Sequence, residues 1–170
     1  GWLAGQYRLF QPRPAAFANI SSRAEIATTL ADFLEGARAM RQERKGSAEK
    51  ADKSDEMEAR RLARGAERDY YTSLVGARFD AAVASDTPFV ERLVHFWANH
   101  FAVSADKLAV VGMSGMLEVE AVRPNVLGRF SDMLLAVEQH PAMLLYLDQA
   151  QSIGPNSPVG SRIAARGGKR

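Results

Sequence analysis

The chain has 170 residues, 46% apolar and 25% charged, with a formal net charge of +2, 13 glycines, 7 prolines and no cysteine. That length fits one globular domain or a piece of one, the apolar fraction excludes a wholly disordered chain, and the lack of cysteine excludes disulfide scaffolds and thiolate-ligated metals. No apolar run reaches the roughly 18 residues of a membrane span, and no basic-then-apolar leader opens the sequence.

Gly1-Trp2-Leu3-Ala4 begins without an initiator Met, already inside an apolar pattern that continues to Leu9 and Phe10. The chain is therefore expected to be truncated at its start, and also at its end, where Arg166-Gly167-Gly168-Lys169-Arg170 is a basic tail of the kind proteases cleave. Ser22-Arg23-Ala24-Glu25 is a capping box, in which hydroxyl and carboxylate satisfy amides that a helix start leaves free. Ile26, Ala27, Leu30, Phe33, Leu34, Ala37 and Met40 follow at three- and four-residue steps, the apolar stripe of an amphipathic helix. A second stripe runs through Ala59, Leu62, Ala63, Ala66, Tyr70, Leu74, Ala77 and Ala81. Residues 44–55 between them carry nothing apolar larger than alanine and read as the exposed turn of a helical hairpin, in preference to one continuous helix.

Arg38 to Arg68 holds ten Lys/Arg against seven Asp/Glu, whereas Asp86 to Asp148 holds four basic against eight acidic residues. The basic residues of the hairpin are mixed with acids and lack aromatics until Tyr70, which speaks for a solvated helix face and against a nucleic-acid reader.

Thr87-Pro88 then starts a helix with proline where a missing amide proton costs little, and residues Phe89 to Val103 are the most apolar and aromatic stretch of the chain. Further helices are expected near Met113 to Val122, Asn125 to Gln139 and Pro141 to Gln149. Lys107 to Val111 is the only strand candidate, and everything from Ser152 reads as loop. The expected fold class is all-α: a helical bundle around the aromatic-rich helix, in one domain. Its parts are a long charged hairpin at 22–84, core helices at 86–150, and a loop with a basic tail at 151–170.

On the helix from Phe89, His100 shares a face with Phe96 and Trp97, while Arg92, His95 and Asn99 form a polar stripe. Polar groups on a mostly buried helix need partners, and Glu118, Glu120, Arg123 and Arg129 are the nearest supply in sequence. The catalytic candidates are His100, His95, Glu118 and Arg123; the binding candidates are Arg92, Asn99, Glu120 and Arg129. The same residues also fit a buried ion-pair network that fixes helix packing. Glu118 and Glu120, two residues apart, point in different directions on a helix. His95 and His100 are five apart, where helical metal ligation uses three or four, so no metal and no cofactor is expected. There is no Gly-x-Ser-x-Gly elbow and no phosphate loop. If His100 is buried with the aromatics, desolvation disfavours its charged form.

Phe89-Val90-Glu91-Arg92-Leu93-Val94-His95-Phe96-Trp97-Ala98-Asn99-His100-Phe101-Ala102-Val103-Ser104 resembles the signature of a bacterial family, domain of unknown function 1800. Glu118 to Pro124, Leu127-Gly128-Arg129-Phe130 and His140 to Asp148 through Gly154-Pro155-Asn156-Ser157 resemble further family segments in order, over about residues 79–157. The resemblance implies a longer protein with an additional Asn/Glu-rich helical segment. It also implies export to the periplasm or beyond, and a link to envelope or polysaccharide processing. No activity comes with it.

Two functions are then in view: a structural or binding domain whose hairpin meets a protein or an envelope polysaccharide, and a hydrolase of envelope glycans or esters. The hydrolase requires a cleft lined by His100, His95, Glu118 and Arg123. The binding domain requires those residues packed, with an exposed apolar patch elsewhere.

Overall fold

The computed structural model describes residues 1–46, 53–149 and 152–165. The expected hairpin turn falls in part outside them, as does the basic tail from Arg166. Among the described residues the structure is all-α, without a strand.

Helix α1 (Trp2–Leu9) leads through a 3-10 turn (Ala15–Phe17) to α2 (Arg23–Gly46), then α3 (Lys53–Ala84) and α4 (Pro88–His100). After α5 (Leu108–Ser114) come a π-helix (Glu118–Val122), a 3-10 turn (Arg123–Asn125), α6 (Phe130–Glu138), α7 (Pro141–Tyr146) and α8 (Pro158–Ala165). The capping box forms reciprocally: Ser22 N donates to Glu25 Oε2 at 3.1 Å, and Glu25 N donates to Ser22 Oγ at 3.2 Å. Helices α2 and α3 are separate and pack on each other, and α3 also receives α5 and the 3-10 turn of residues 15–17.

Leu74, Ala77 and Ala81 of α3 meet Phe17, Ile26, Met113 and Met116 in the core. Leu62, placed on the same stripe from sequence, is 68% exposed; at 3.6 residues per turn it lies well round the helix from Leu74.

The start of α4 is capped from a distance. Thr87 makes no side-chain cap bond there, and its hydroxyl is held by Ser85 Oγ at 3.0 Å. The buried side chain of Gln6 on α1 accepts from Phe89 N at 3.1 Å and donates to Asp86 O at 3.3 Å. Of α4 itself, Val90, Glu91 and Val94 are buried. Phe96, expected in the core, is 59% exposed, and Trp97 only partly packs against the core. The aromatic-rich helix thus flanks the core, because its aliphatic side faces inward and its rings gather at the rim with Phe130 of α6.

Other boundaries differ from expectation. Lys107 to Val111 leads into α5 and is not a strand. The segment expected as one helix over Met113 to Val122 splits into α5 and the π-helix. The helix expected from Asn125 begins at Phe130, after an extended Arg129, and the one from Pro141 ends at Tyr146. Pro158–Ala165, read as loop, forms α8; Ser157 Oγ accepts from Gly160 N at 3.0 Å, an N-cap ahead of a proline.

Candidate functional site

Four charged side chains from four elements meet on the inner side of α4. Arg123, with 0% exposure, directs its Nη1 to Glu91 Oε1 at 3.0 Å and its Nη2 to Glu91 Oε2 at 2.7 Å. Its Nε donates to Glu118 Oε1 at 3.0 Å, and Arg78 Nε of α3 lies 2.7 Å from Glu118 Oε2. The guanidinium also lies over the Phe17 ring, 4.7 Å from its centroid, a cation–π contact. Two cations face two anions, and every carboxylate oxygen has a guanidinium partner.

The π-helix makes this possible. Glu118 and Arg123 are five residues apart, which on an α-helix separates side chains by more than a third of a turn. The wider π-turn, with its i→i+5 bonding, brings positions five apart onto one side. Asn125 Nδ2 donates to Ala121 O at 2.8 Å and closes the end of this turn.

Glu120 points elsewhere, as its two-residue offset from Glu118 requires. Its Oε2 meets Arg23 Nη1 at 3.2 Å and His140 Nε2 at 3.2 Å. His140 Nδ1 accepts from Ala142 N at 3.2 Å, capping α7, so the Nε2 hydrogen faces Glu120. Burial lowers the His140 pKa below its ordinary 6.5, against the pull of Glu120.

Of the catalytic candidates, Glu118 and Arg123 are brought together. His95 lies beside them with its Nε2 buried and without a hydrogen-bond partner; burial first, then the Arg78 charge, pushes its pKa below 6.5. His100 is exposed, stacked on Phe96 at 6.4 Å. That corrects the expectation of a desolvated imidazole, since it stands about 80° and 120° round α4 from the buried Val90 and Val94. Of the binding candidates, Arg92 and Arg129 are exposed and outside the network, and Glu120 belongs to the second cluster. Asn99 is exposed and, with Arg78 and Glu118, borders a cavity of about 200 Å³. A second hollow of about 240 Å³ lies on the Glu91 side. Both fall below the roughly 300 Å³ at which small-molecule pockets begin.

Sequence reasoning missed Glu91 and Arg78. A signal for Glu91 existed: it lies in helical phase with Val90 and Val94, the aliphatic side of α4, but the aromatics had been used to define the buried face. Arg78 carried no local signal. A third omission, Glu67 of α3, is 1% exposed, and its Oε2 accepts from Gly112 N of α5 at 2.9 Å. Among the described residues no group of three or more His, Asp or Glu could hold a metal ion, and no helix is long and apolar enough to cross a membrane.

A family model described as a protein of unknown function, DUF1800, matches residues 9–158. The match begins well before residue 79, where the segment-by-segment resemblance starts. No curated protein and no solved structure matches the chain.

Proposed function

The chain belongs to the DUF1800 family, whose function is unknown, and we propose that it is a structural and binding domain of a longer exported protein engaged in envelope or polysaccharide processing. The charged hairpin is its partner surface. The reading is carried by the closure of the Arg123 network: a guanidinium without exposed surface holds both oxygens of Glu91 and one of Glu118, and Arg78 holds the last. A general base needs basicity within reach of substrate, and a guanidinium held against each carboxylate oxygen lowers it here. Exposed Phe96 and Phe130, both against the Trp97 ring, supply the apolar patch that a binding domain requires. The exported, envelope-linked setting rests on the family resemblance.

A hydrolase of envelope glycans or esters is the second reading, favoured by the unpartnered Nε2 of His95 beside Glu118 and Arg123. Arg123→Gln separates the two. In the structural reading it strands the buried Glu91 carboxylate, leaves Glu118 with Arg78 alone and costs about 3 to 5 kcal/mol, read as a large fall in melting temperature, and the wild type turns over no nitrophenyl ester or glycoside. Turnover by the wild type that vanishes in His95→Gln at an unchanged melting temperature overturns the structural reading.

A further inference from the structure

At 3.6 residues per turn, Met57, Arg60, Arg61, Arg64 and Arg68 of α3 fall within one arc of about 100°, and all five are exposed. Asp69 lies outside that arc, Glu67 at its edge is turned inward to Gly112, and Glu58, about 60° beyond Arg61, is the one carboxylate bordering the same hollow as the four arginines. Arg60 with Arg64, Arg61 with Arg64, and Arg64 with Arg68 are like-charge pairs at three- and four-residue spacing, each of which weakens a helix. Four cations elsewhere in the fold have carboxylate partners: Arg123 with Glu91 and Glu118, Arg78 with Glu118, Arg23 with Glu120, Lys107 with Asp148. Arg60 is engaged within the fold, but Arg61, Arg64 and Arg68 have no carboxylate partner among the described residues.

Where α2 runs along this face, a cavity of about 400 Å³ is lined by Arg38, Arg60 and Arg64 together with Phe33, Leu34 and Leu108. Its lining contains guanidinium and apolar groups and no carboxylate. Guanidinium forks match phosphate oxygens, and the apolar lining matches hydrocarbon. A single-stranded nucleic acid would draw on aromatic platforms, which the arc lacks, and a fully hydrated polysaccharide would leave the apolar lining unused. Exposed Met57, 68% accessible among the arginines, fits the boundary between headgroups and acyl chains.

We propose that the arginine face of α3, with the adjoining cavity against α2, docks on an anionic lipid surface, phosphate headgroups meeting Arg61, Arg64 and Arg68 and apolar chain meeting Phe33, Leu34 and Leu108. This rests on the reading of the hairpin as a partner surface and names the partner. The test is sedimentation of the whole chain with vesicles of phosphatidylglycerol and phosphatidylcholine, against vesicles of phosphatidylcholine alone. The wild type sediments with the first and not the second, and salt releases it. The R61Q/R64Q/R68Q variant binds about a hundredfold more weakly, about fivefold per arginine, with an equal or higher melting temperature because the repulsion is relieved. Leu34→Asn weakens vesicle binding at unchanged charge. Equal binding to both vesicles, no binding to either, or undiminished binding of the triple variant overturns the proposal. Tighter binding to heparin or to a single-stranded oligonucleotide, at equal anionic charge and lost in the triple variant, removes the lipid and leaves the hairpin as a partner surface. The Arg123→Gln melt decides the structural reading independently of all these outcomes.

Discussion

Gly112 of α5 donates its amide proton to the buried Oε2 of Glu67 on α3 at 2.9 Å, and it can do so because it has no side chain. A Cβ at position 112 would collide with that oxygen and stand 3.0 Å from Ile26 Cγ2. Gly112→Ala therefore has to part α3 from α5 or break the bond. It is expected to destabilise the fold by about 2 to 4 kcal/mol, overpacking plus a stranded polar group. Denaturant unfolding that finds less than about 1 kcal/mol would contradict this account of the contact.

Burial pushes the Glu67 carboxyl above its ordinary 4.5, and the Gly112 bond opposes the shift only in part. Its Oε1 is buried without a hydrogen-bond partner. A raised folded-state value means that the native protein favours the protonated form. The associated stability is fully present below the unfolded value and is lost as pH rises through the folded one. Glu67→Gln keeps an acceptor for Gly112 and cannot ionise. The variant should gain on the wild type as pH rises from 4.5 toward neutrality, and a melting-temperature difference that stays flat with pH rules this out.

For His95 the sign is opposite. Its folded value is depressed below 6.5 by burial and by Arg78, so its stability is present above the unfolded value and lost as pH falls through the folded one. His140, also depressed, acts in the same window. His95→Gln should reduce the loss of melting temperature on acidification below 6.5 but not remove it. An unchanged slope would show that His95 does not sense the charge beside it.

His100→Ala is expected to cost about 1 kcal/mol or less, the range of a surface change whose contacts with Phe96, Trp97 and Phe101 are open to solvent. Buried with the aromatics it would have cost about 1 to 3 kcal/mol. Its exposure beside Phe96 decides for the smaller figure. Chemical denaturation of variant and wild type measures the difference directly.

Gln6→Ala removes the only side-chain bond to the Phe89 amide that the described residues provide. The loss should be about 1 to 2 kcal/mol. Hydrogen exchange concentrated in the first turn of α4 locates it, and uniform exchange across the chain would place the defect elsewhere.

Much of the site was legible in part. Glu118 and Arg123 were readable as candidates because polar residues in an apolar segment have to find partners, and Glu120 was separable from Glu118 by its two-residue offset. Glu91 was passed over because burial on α4 follows Val90 and Val94, whereas the aromatic rings that dominate the pattern collect at the rim. Arg92, Asn99, His100 and Arg129 were assigned from helical spacing alone, which fixes neighbours on one helix and not the side that another helix covers.

What the sequence by itself determined are the features whose partners lie within a few residues: the all-α class, the Ser22 and Glu25 capping box, and the proline starts at Pro88 and Pro141. These groups are satisfied locally, so spacing is sufficient to find them. Only the tertiary structure decided that Arg123 meets Glu91, that Arg78 completes the network, that Gln6 caps α4 and that Glu67 meets Gly112. Each of those contacts joins a side chain to a side chain or a backbone amide of a separate element, or depends on a π-turn that a 3.6-residue period does not describe. Their geometry is set by how whole helices bury their apolar faces against one another.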